Sequence, residues 1–541
     1  MQRQKTLVAL AAAAVVAGAA YGAATWYSGR QVQTAYQQAI AELRTAIGPQ
    51  AIITDEYRKG FFSAQAHLVL EWTPPAALAD EPQEDDDEED GERPAAAPAA
   101  PAAPAQPLRL VVDSDVRHGP LAGARLAAAV VQTRFSLQGL SESAQKALAQ
   151  VQGPQLTAVR HYSGASDLRL QLPAGEIVDE ETALRWQALA YDMHLGRDGR
   201  RISGSFQWPG WTLVGPAGSG DEDEDALADA EDAQDADSAA SAASAAATAA
   251  DAAAAAVAAS EDAAPRPTRL FTVAATGMQG SFDSTMIEGL WGMGPGTLQL
   301  RVAQLQASSA PIKGGAAKPL LDLKDLHAQT EVVSDNATVG YSNRIKAVGS
   351  IGPLQFEALS MHEQVQRLDI EALRGMLRHM GQSYRTALRA SDVGEMEDAL
   401  QEQQTELLQQ AAPRLVAALP SYQMKLEATY QGQTGHVTYG AEIKQAPTPA
   451  QMAEGGWLPA LMQGGALNAS LRLPKAWLSP LLQAGGKPAM DDDELQGMLA
   501  MAQAVGYVRT EGEQIASDLA LQGGQWTLNG RTVASPLDLP D

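Results

Sequence analysis

GFFSAQAHLVLEW, residues 60–72, changes character at nearly every step. Phe62, Ala64, Ala66, Leu68, Leu70 and Trp72 fall in one phase, and Ser63, Gln65, His67 and Glu71 in the other, with Val69 breaking the rule. A period of two over this length predicts a strand with one apolar face. Such a face covers either the protein's own core or something brought to it, and that choice governs the functional reading.

The same alternation returns along the chain. LRLVV (108–112), ARLAAAVVQTRFSL (124–137), SDLRLQL (166–172), ALRWQALAYDMHL (183–195) and RISGSFQW (201–208) read as strands parted by Gly, Pro and Asp turns. Arg197-Asp198-Gly199 is expected to close a hairpin. RLFTVAATG, TLQLRVAQLQA, LKDLHAQTEVV and ATVGYSNRIKAVGSI continue the theme between residues 267 and 360. The period then lengthens. Leu373, Met376, Leu377, Met380, Tyr384 and Leu388 mark a helix, and a second is expected from Asp392 towards Pro413, with Glu395 completing a capping-box-like start. Strands resume at 422–430, 436–444 and 466–473; Pro474 opens a short helix, and Asp491 with Glu494 opens another. Strands at 509–521 and 525–532 close the pattern. Strands following strands disfavour a Rossmann-like layout. The expected class is α+β, mainly antiparallel β: an extended, curved sheet with helical pairs, one N-terminal transmembrane helix and two disordered inserts.

The net charge of −26 is concentrated in those inserts. Residues 80–92 hold ten acids and no base, and residues 221–262 hold thirteen acids and no base. Taking these 23 from the total of 65 leaves 42 acids against 39 Lys and Arg. The remainder is nearly neutral, with neither a nucleic-acid footprint nor a polybasic lipid cluster. Both inserts lack large apolar side chains and are expected to stay solvated. The organisation read from these shifts is an anchor at 1–29, a stalk helix and first strand at 30–72, and an acidic Pro-Ala linker at 73–107. A β-rich region at 108–215, an acidic Ala-rich insert at 216–266 and a second β-rich region at 267–365 follow. A helical pair at 366–415 and mixed strands and helices at 416–541 complete it. The stalk is marked by Val32, Tyr36, Ile40, Leu43 and Ile47 at three- and four-residue steps.

At the N-terminus, Arg3 and Lys5 precede 24 uncharged residues from Thr6 to Gly29, including Leu7. As a helix these would extend roughly 36 Å, enough for a hydrocarbon core of about 30 Å. Trp26 and Tyr27 stand where an interfacial aromatic belt belongs, and leading positive charge keeps the N-terminus inside. The rival reading is a cleaved signal peptide, with Leu7–Val16 as its apolar region and Ala17-Gly18-Ala19 as its cleavage-like site. Gly18 and Gly22 form a small-xxx-small face suited to helix dimers.

Chemistry-bearing motifs are sparse. The absence of cysteine removes disulfides and thiolate chemistry. His362-Glu363 starts an HExxH-like run, but Gln366 stands where the second zinc ligand belongs. Gly349-Ser350-Ile351-Gly352 is not a nucleophile elbow, and Gly292, Gly294 and Gly296 lack dinucleotide-site spacing. The eight histidines form no close pair at ligand spacing. Asp491-Asp492-Asp493-Glu494 reads better as helix N-terminal charge than as a cation site. No cofactor, metal site or catalytic set is therefore expected. His118-Gly119-Pro120 is the most individual motif, readable as a ligand contact at a sheet edge or as a turn.

Taken in order, Trp26–Arg30 (WYSGR), Tyr57–Ser63 (YRKGFFS), His118–Leu121 (HGPL), GRDGRRISG at 196–204, Gly506-Tyr507 and GQWTLNGR at 524–531 are similar to the YdgA-like family of Gram-negative bacterial proteins. The resemblance implies one inner-membrane span and a large periplasmic part, with no catalytic residues to carry over; the acidic inserts depart from it. Two functions follow as expectations: a non-enzymatic envelope scaffold that binds partner proteins, or a carrier that holds lipid along an apolar sheet trough. The discriminator is whether apolar strand faces exceed what the helices can cover. Self-association through the anchor is a further expectation, and nucleic acid is not expected as a partner. Deleting residues 80–106 and 218–264 should leave the thermal midpoint within a few degrees, read by calorimetry, since neither insert brings apolar bulk to a core.

Overall fold

A computed structural model describes the chain between residues 29 and 533, apart from 45–51, 73–106, 217–268, 388–410, 449–463 and several shorter gaps. The expected anchor residues Leu7, Gly18, Gly22, Trp26 and Tyr27, both acidic inserts and most of the second helix of the 366–415 pair lie outside the described residues. Among the described residues no helix is long and apolar enough to cross a membrane.

Mainly antiparallel strands build a single 22-stranded sheet. Its first half holds β1 (Ile52–Lys59), β2 (Ser63–Trp72), β3 (Leu108–His118), β4 (Ala129–Gln138), β5 (Gln155–Arg160) and β6 (Ser166–Leu172), then β7 (Gly175–Val178), β8 (Ala183–Trp186), β9 (Leu189–Leu195) and β10 (Arg201–Pro216). Five long strands follow: β11 (Arg269–Thr285), β12 (Gly296–Pro311), β13 (Lys318–Ser334), β14 (Thr338–Ile351) and β15 (Leu354–Asp369). The rest are β16 (Ser421–Tyr430), β17 (Gln433–Ile443), β18 (Gly465–Pro474), β19 (Arg509–Glu511), β20 (Gln514–Gln522), β21 (Gln525–Leu528) and β22 (Arg531–Val533). Almost every strand pairs with its predecessor. Two detours interrupt the order: β6 pairs β9, so that the β7–β8 hairpin extends the same edge of β10, and β18 pairs β20.

Local chemistry explains the elements. Gly196 N–H donates to the Arg201 carbonyl at 2.8 Å and Gly199, at φ 70°, turns the chain, which is the hairpin expected at 197–199. Asp491 and Glu494 cap the helix Asp492–Val505 reciprocally, and Pro474 leads into a 3-10 turn, Lys475–Trp477, and the helix Leu478–Ala484. The first helix of the expected pair is present as Ile370–Ala387, beginning after β15 rather than at 366.

Several expectations need correction. The run 183–195 is two strands: its register against β10 continues, with Trp186 opposite Trp211 and Ala190 opposite Gln207, but the ladder is interrupted where it faces Pro209, which has no N–H to donate, and the Gln187 carbonyl accepts from Trp208 Nε1 instead. Phe62 precedes β2, stands 55% exposed and packs edge-on against Phe61 instead of joining the apolar face. The stalk is not free-standing: helical residues 29–44 dock on the first strands, with Tyr36 against Tyr57 (5.0 Å between rings) and Arg44 paired with Asp55 at 2.8 Å.

Mid-sheet, two Gly-Ser-Phe triplets, 204–206 and 280–282, run antiparallel so that Gly204 faces Phe282 and Phe206 faces Gly280. Each ring lies over the opposing glycine: a Cβ at Gly204 would sit 2.7 Å from Phe282 Cζ, and one at Gly280 would run into the Phe206 ring. Tyr191 stacks on Phe282 at 6.0 Å and 19°. Glycine costs a strand packing and entropy, and a ring laid across the bare backbone recovers both. Gly280→Val should therefore displace Phe206 and cost about 1–3 kcal/mol by urea unfolding, as overpacking does.

Candidate functional site

The strand registers align one row of side chains across the sheet. It runs Ala66, Ser114, Thr133, Leu156, Leu170, Tyr191, Phe206, Gly280, Leu300, Ala328, Ile345, Met361, Leu426, Val437 and Leu471. Because neighbours in a strand alternate sides, this row belongs to one face, the face that Ala64–Leu70 open. The adjacent row on the other face is polar: His67, Asp113, Arg134, Gln155, Gln171, then Gln207, Gln279, Arg301, His327 and Lys346.

Among the described residues little covers the apolar face. Helical residues 29–44 reach β1 and the end of β3. The helix Ile370–Ala387 packs Ile370, Leu373 and Leu377 with Val332, Val339 and Leu368, and Trp477 packs on Phe356 and Tyr430. These sites touch the sheet near its beginning and around β13–β17. From β6 to β12 the described helices make no extensive contact with it, the helix Ile370–Ala387 reaching only the β11–β12 connection at Ile287, Glu288 and Leu290, and Leu298 is 44% exposed there.

One group on the apolar face of β15 is charged. Glu363 accepts hydrogen bonds from Asn343 Nδ2 at 2.8 Å and from the Tyr341 hydroxyl at 3.3 Å. Tyr422 and Tyr439, on β16 and β17, complete the patch with rings 5.8 Å apart. Burial, then Glu363, pushes the Tyr341 hydroxyl up to about 12, and the same two causes raise Tyr422. The Asn343 side-chain oxygen is buried without a partner among the described residues. Sequence reasoning considered Glu363 only as part of a failed zinc motif. The available signal was phase: Asn343 and Glu363 are polar residues in the apolar phase of their strands.

The polar face carries two clefts of about 800 and 750 Å³. In the larger, His161 Nε2 and His194 Nδ1 lie 2.6 and 2.7 Å from the two carboxylate oxygens of Asp167. Arg169 pairs with Asp192 beside them at 2.6 Å. The smaller is lined by Arg301, His327, Arg344 and Lys346 among glutamines and serines. No group of three or more His, Asp and Glu among the described residues is arranged to hold a metal ion.

His118, Gly119 and Pro120 stand at the end of β3. His118 is 3% exposed, and a Cβ on Gly29 would come within 2.7 Å of its Cε1, so the imidazole fills the space that glycine leaves in the docked helix. Gly119, at φ 120°, turns the chain out of the strand, and its N–H donates to Ala128 O at 3.2 Å. The motif joins helix to sheet. It borders the larger polar cleft, which Arg117 and Ala127 help to line, and is remote in the strand order from the Glu363 patch on β14–β17.

The geometry defines a single-sheet protein whose one sheet is amphipathic over nearly all its strands. The chain belongs to a bacterial protein family of unknown function, DUF945, whose model matches residues 4–536. No curated protein and no solved structure shows significant similarity to it.

The hydrogen bonds from His194 and His161 hold the Asp167 carboxyl below the usual carboxylate range, working against a smaller burial effect. A depressed carboxyl contributes stability that is present above its unfolded pKa and lost as pH falls through its folded one. Carbon-detected NMR titration should show Asp167 protonating below a free aspartate, and replacing both histidines by Asn should move its midpoint up.

Proposed function

We propose that this protein is a non-enzymatic, membrane-tethered envelope protein that holds the acyl chains of a lipid on the apolar face of its sheet. The observation that carries this reading is the row from Ala66 to Leu471, whose middle, β6–β12, has no described helix in extensive contact with it. The apolar face is larger than the described helices cover, which favours lipid handling over the scaffold reading. The likeness to the YdgA-like proteins supplies the setting, an inner-membrane span at residues 6–29 with the bulk of the chain in the periplasm, and the small-xxx-small spacing of Gly18 and Gly22 adds self-association through that span. Burying apolar acyl surface against Phe206, Leu300 and Ile345 is worth about 25 cal/mol per Å² removed from water, and it requires no catalytic group.

Native mass spectrometry of gently purified full-length protein should reveal bound phospholipid. Leu298→Asp places a carboxylate where it still reaches water, so the variant should melt cooperatively within a few degrees of wild type while losing most of that lipid. Wild-type protein free of lipid, or a Leu298→Asp chain that fails to fold, would instead make the face ordinary core and restore the scaffold reading.

A further inference from the structure

The Glu363 patch departs from the rest of the apolar face. Register places Tyr341, Asn343, Glu363, Tyr422 and Tyr439 on the same side of four consecutive strands. Of the cations of these strands, Arg344, Lys346 and Lys425 occupy the opposite phase, where Lys425 pairs with Glu427 at 2.8 Å, and Arg367, at the register shift of β15, donates to the Leu419 carbonyl at 2.6 Å. Among the described residues Glu363 therefore has donors but no ion-pair partner: a tyrosine hydroxyl and an asparagine amide bind its two oxygens, and the Asn343 oxygen beside it is a second acceptor with no donor among those residues. A carboxylate on an apolar surface is costly unless a cation completes it. Tyrosine faces attract cations through the ring quadrupole. Two acceptors for N–H donors, one negative charge and a set of tyrosine rings match the needs of an ammonium group. A phosphate would be repelled by the same carboxylate.

Resting on the lipid reading above, we propose that this patch recognises an ammonium-bearing headgroup, while the apolar row running from Ile345 towards Phe206 takes the acyl chains. Glu363 supplies the counter-charge, Asn343 Oδ1 accepts from an N–H of the ammonium, and Tyr341, Tyr422 and Tyr439 contribute ring faces. A primary ammonium can use all three contacts. A trimethylammonium can use the charge and the rings but not the hydrogen bond.

Isothermal titration of the full chain with dihexanoyl phosphatidylethanolamine, phosphatidylcholine and phosphatidylglycerol, each below its micelle concentration, tests this directly. The ammonium lipids should bind about tenfold tighter than phosphatidylglycerol, the scale of a carboxylate and cation–π contact. Glu363→Gln keeps an acceptor for Tyr341 and Asn343 but removes the charge, and it should abolish that preference without weakening phosphatidylglycerol. Tyr422→Leu, which keeps apolar bulk, should reduce the preference in part. Equal binding of all three lipids to wild type, or a preference that survives Glu363→Gln in a protein with unchanged melting, overturns the headgroup site and leaves the acyl-binding face standing. Binding of none of them overturns both.

Discussion

Each strand satisfies its backbone N–H and C=O groups on a neighbour that is close to it in sequence, and this ladder is satisfied within one layer. An antiparallel sheet of this kind needs no second sheet to complete its hydrogen bonding, but it has an apolar face that must go somewhere. Where helices are at hand the sheet uses them: Tyr36 on Tyr57, Leu373 and Leu377 beside Val332 and Val339, Trp477 on Tyr430. Between those places the face packs against itself. The reciprocal Phe–Gly pairs and the Tyr191–Phe282 stack are how it does so, rings lying along the sheet and not into an opposing layer.

The polar face follows a different rule. Its charges are mostly paired across neighbouring strands, Glu71 with Arg109, Asp192 with Arg169, Asp283 with Arg201, Asp518 with Arg472. Pairs this exposed add little to stability each. Their placement keeps like charges from facing one another and fixes register, since a slip of one residue would turn every apolar side chain outward.

Period two and turn chemistry made most strands legible in the sequence. The hairpin at 197–199, the short helix after Pro474 and the capped helix at 491–494 stand where those residues predicted them. What was not legible needs the third dimension. Nothing in ALRWQALAYDMHL marks the break after Trp186, because its cause is Pro209 on another strand. The docking of residues 29–44 was hidden for the same reason, since Gly29 and His118 are distant in sequence and meet only when β3 is paired. Glu363 was judged against a helix motif although it lies on a strand, and its meaning depends on Asn343 and Tyr341 across β14. A single sequence shows the phase of each strand; it does not show which strands share a row.

The order of the strands also bears on how such a chain reaches its folded state. Nearly all pairings join strands consecutive in sequence, so apart from the long connections after β2, β10 and β15 the loops closed at each step are short and the entropy lost per step is small. A chain built this way can grow at one edge, each new strand adding to the last as synthesis proceeds, much as repeat proteins propagate. The growing edge is the hazard, since an unpaired strand is a template for foreign chains. The finished sheet ends on β22, only three residues long, and at its other edge β1 is flanked by the docked helix with its Arg44–Asp55 pair. Those two margins of the described sheet are thereby made poor templates, and so long a sheet can exist without inviting a further strand there.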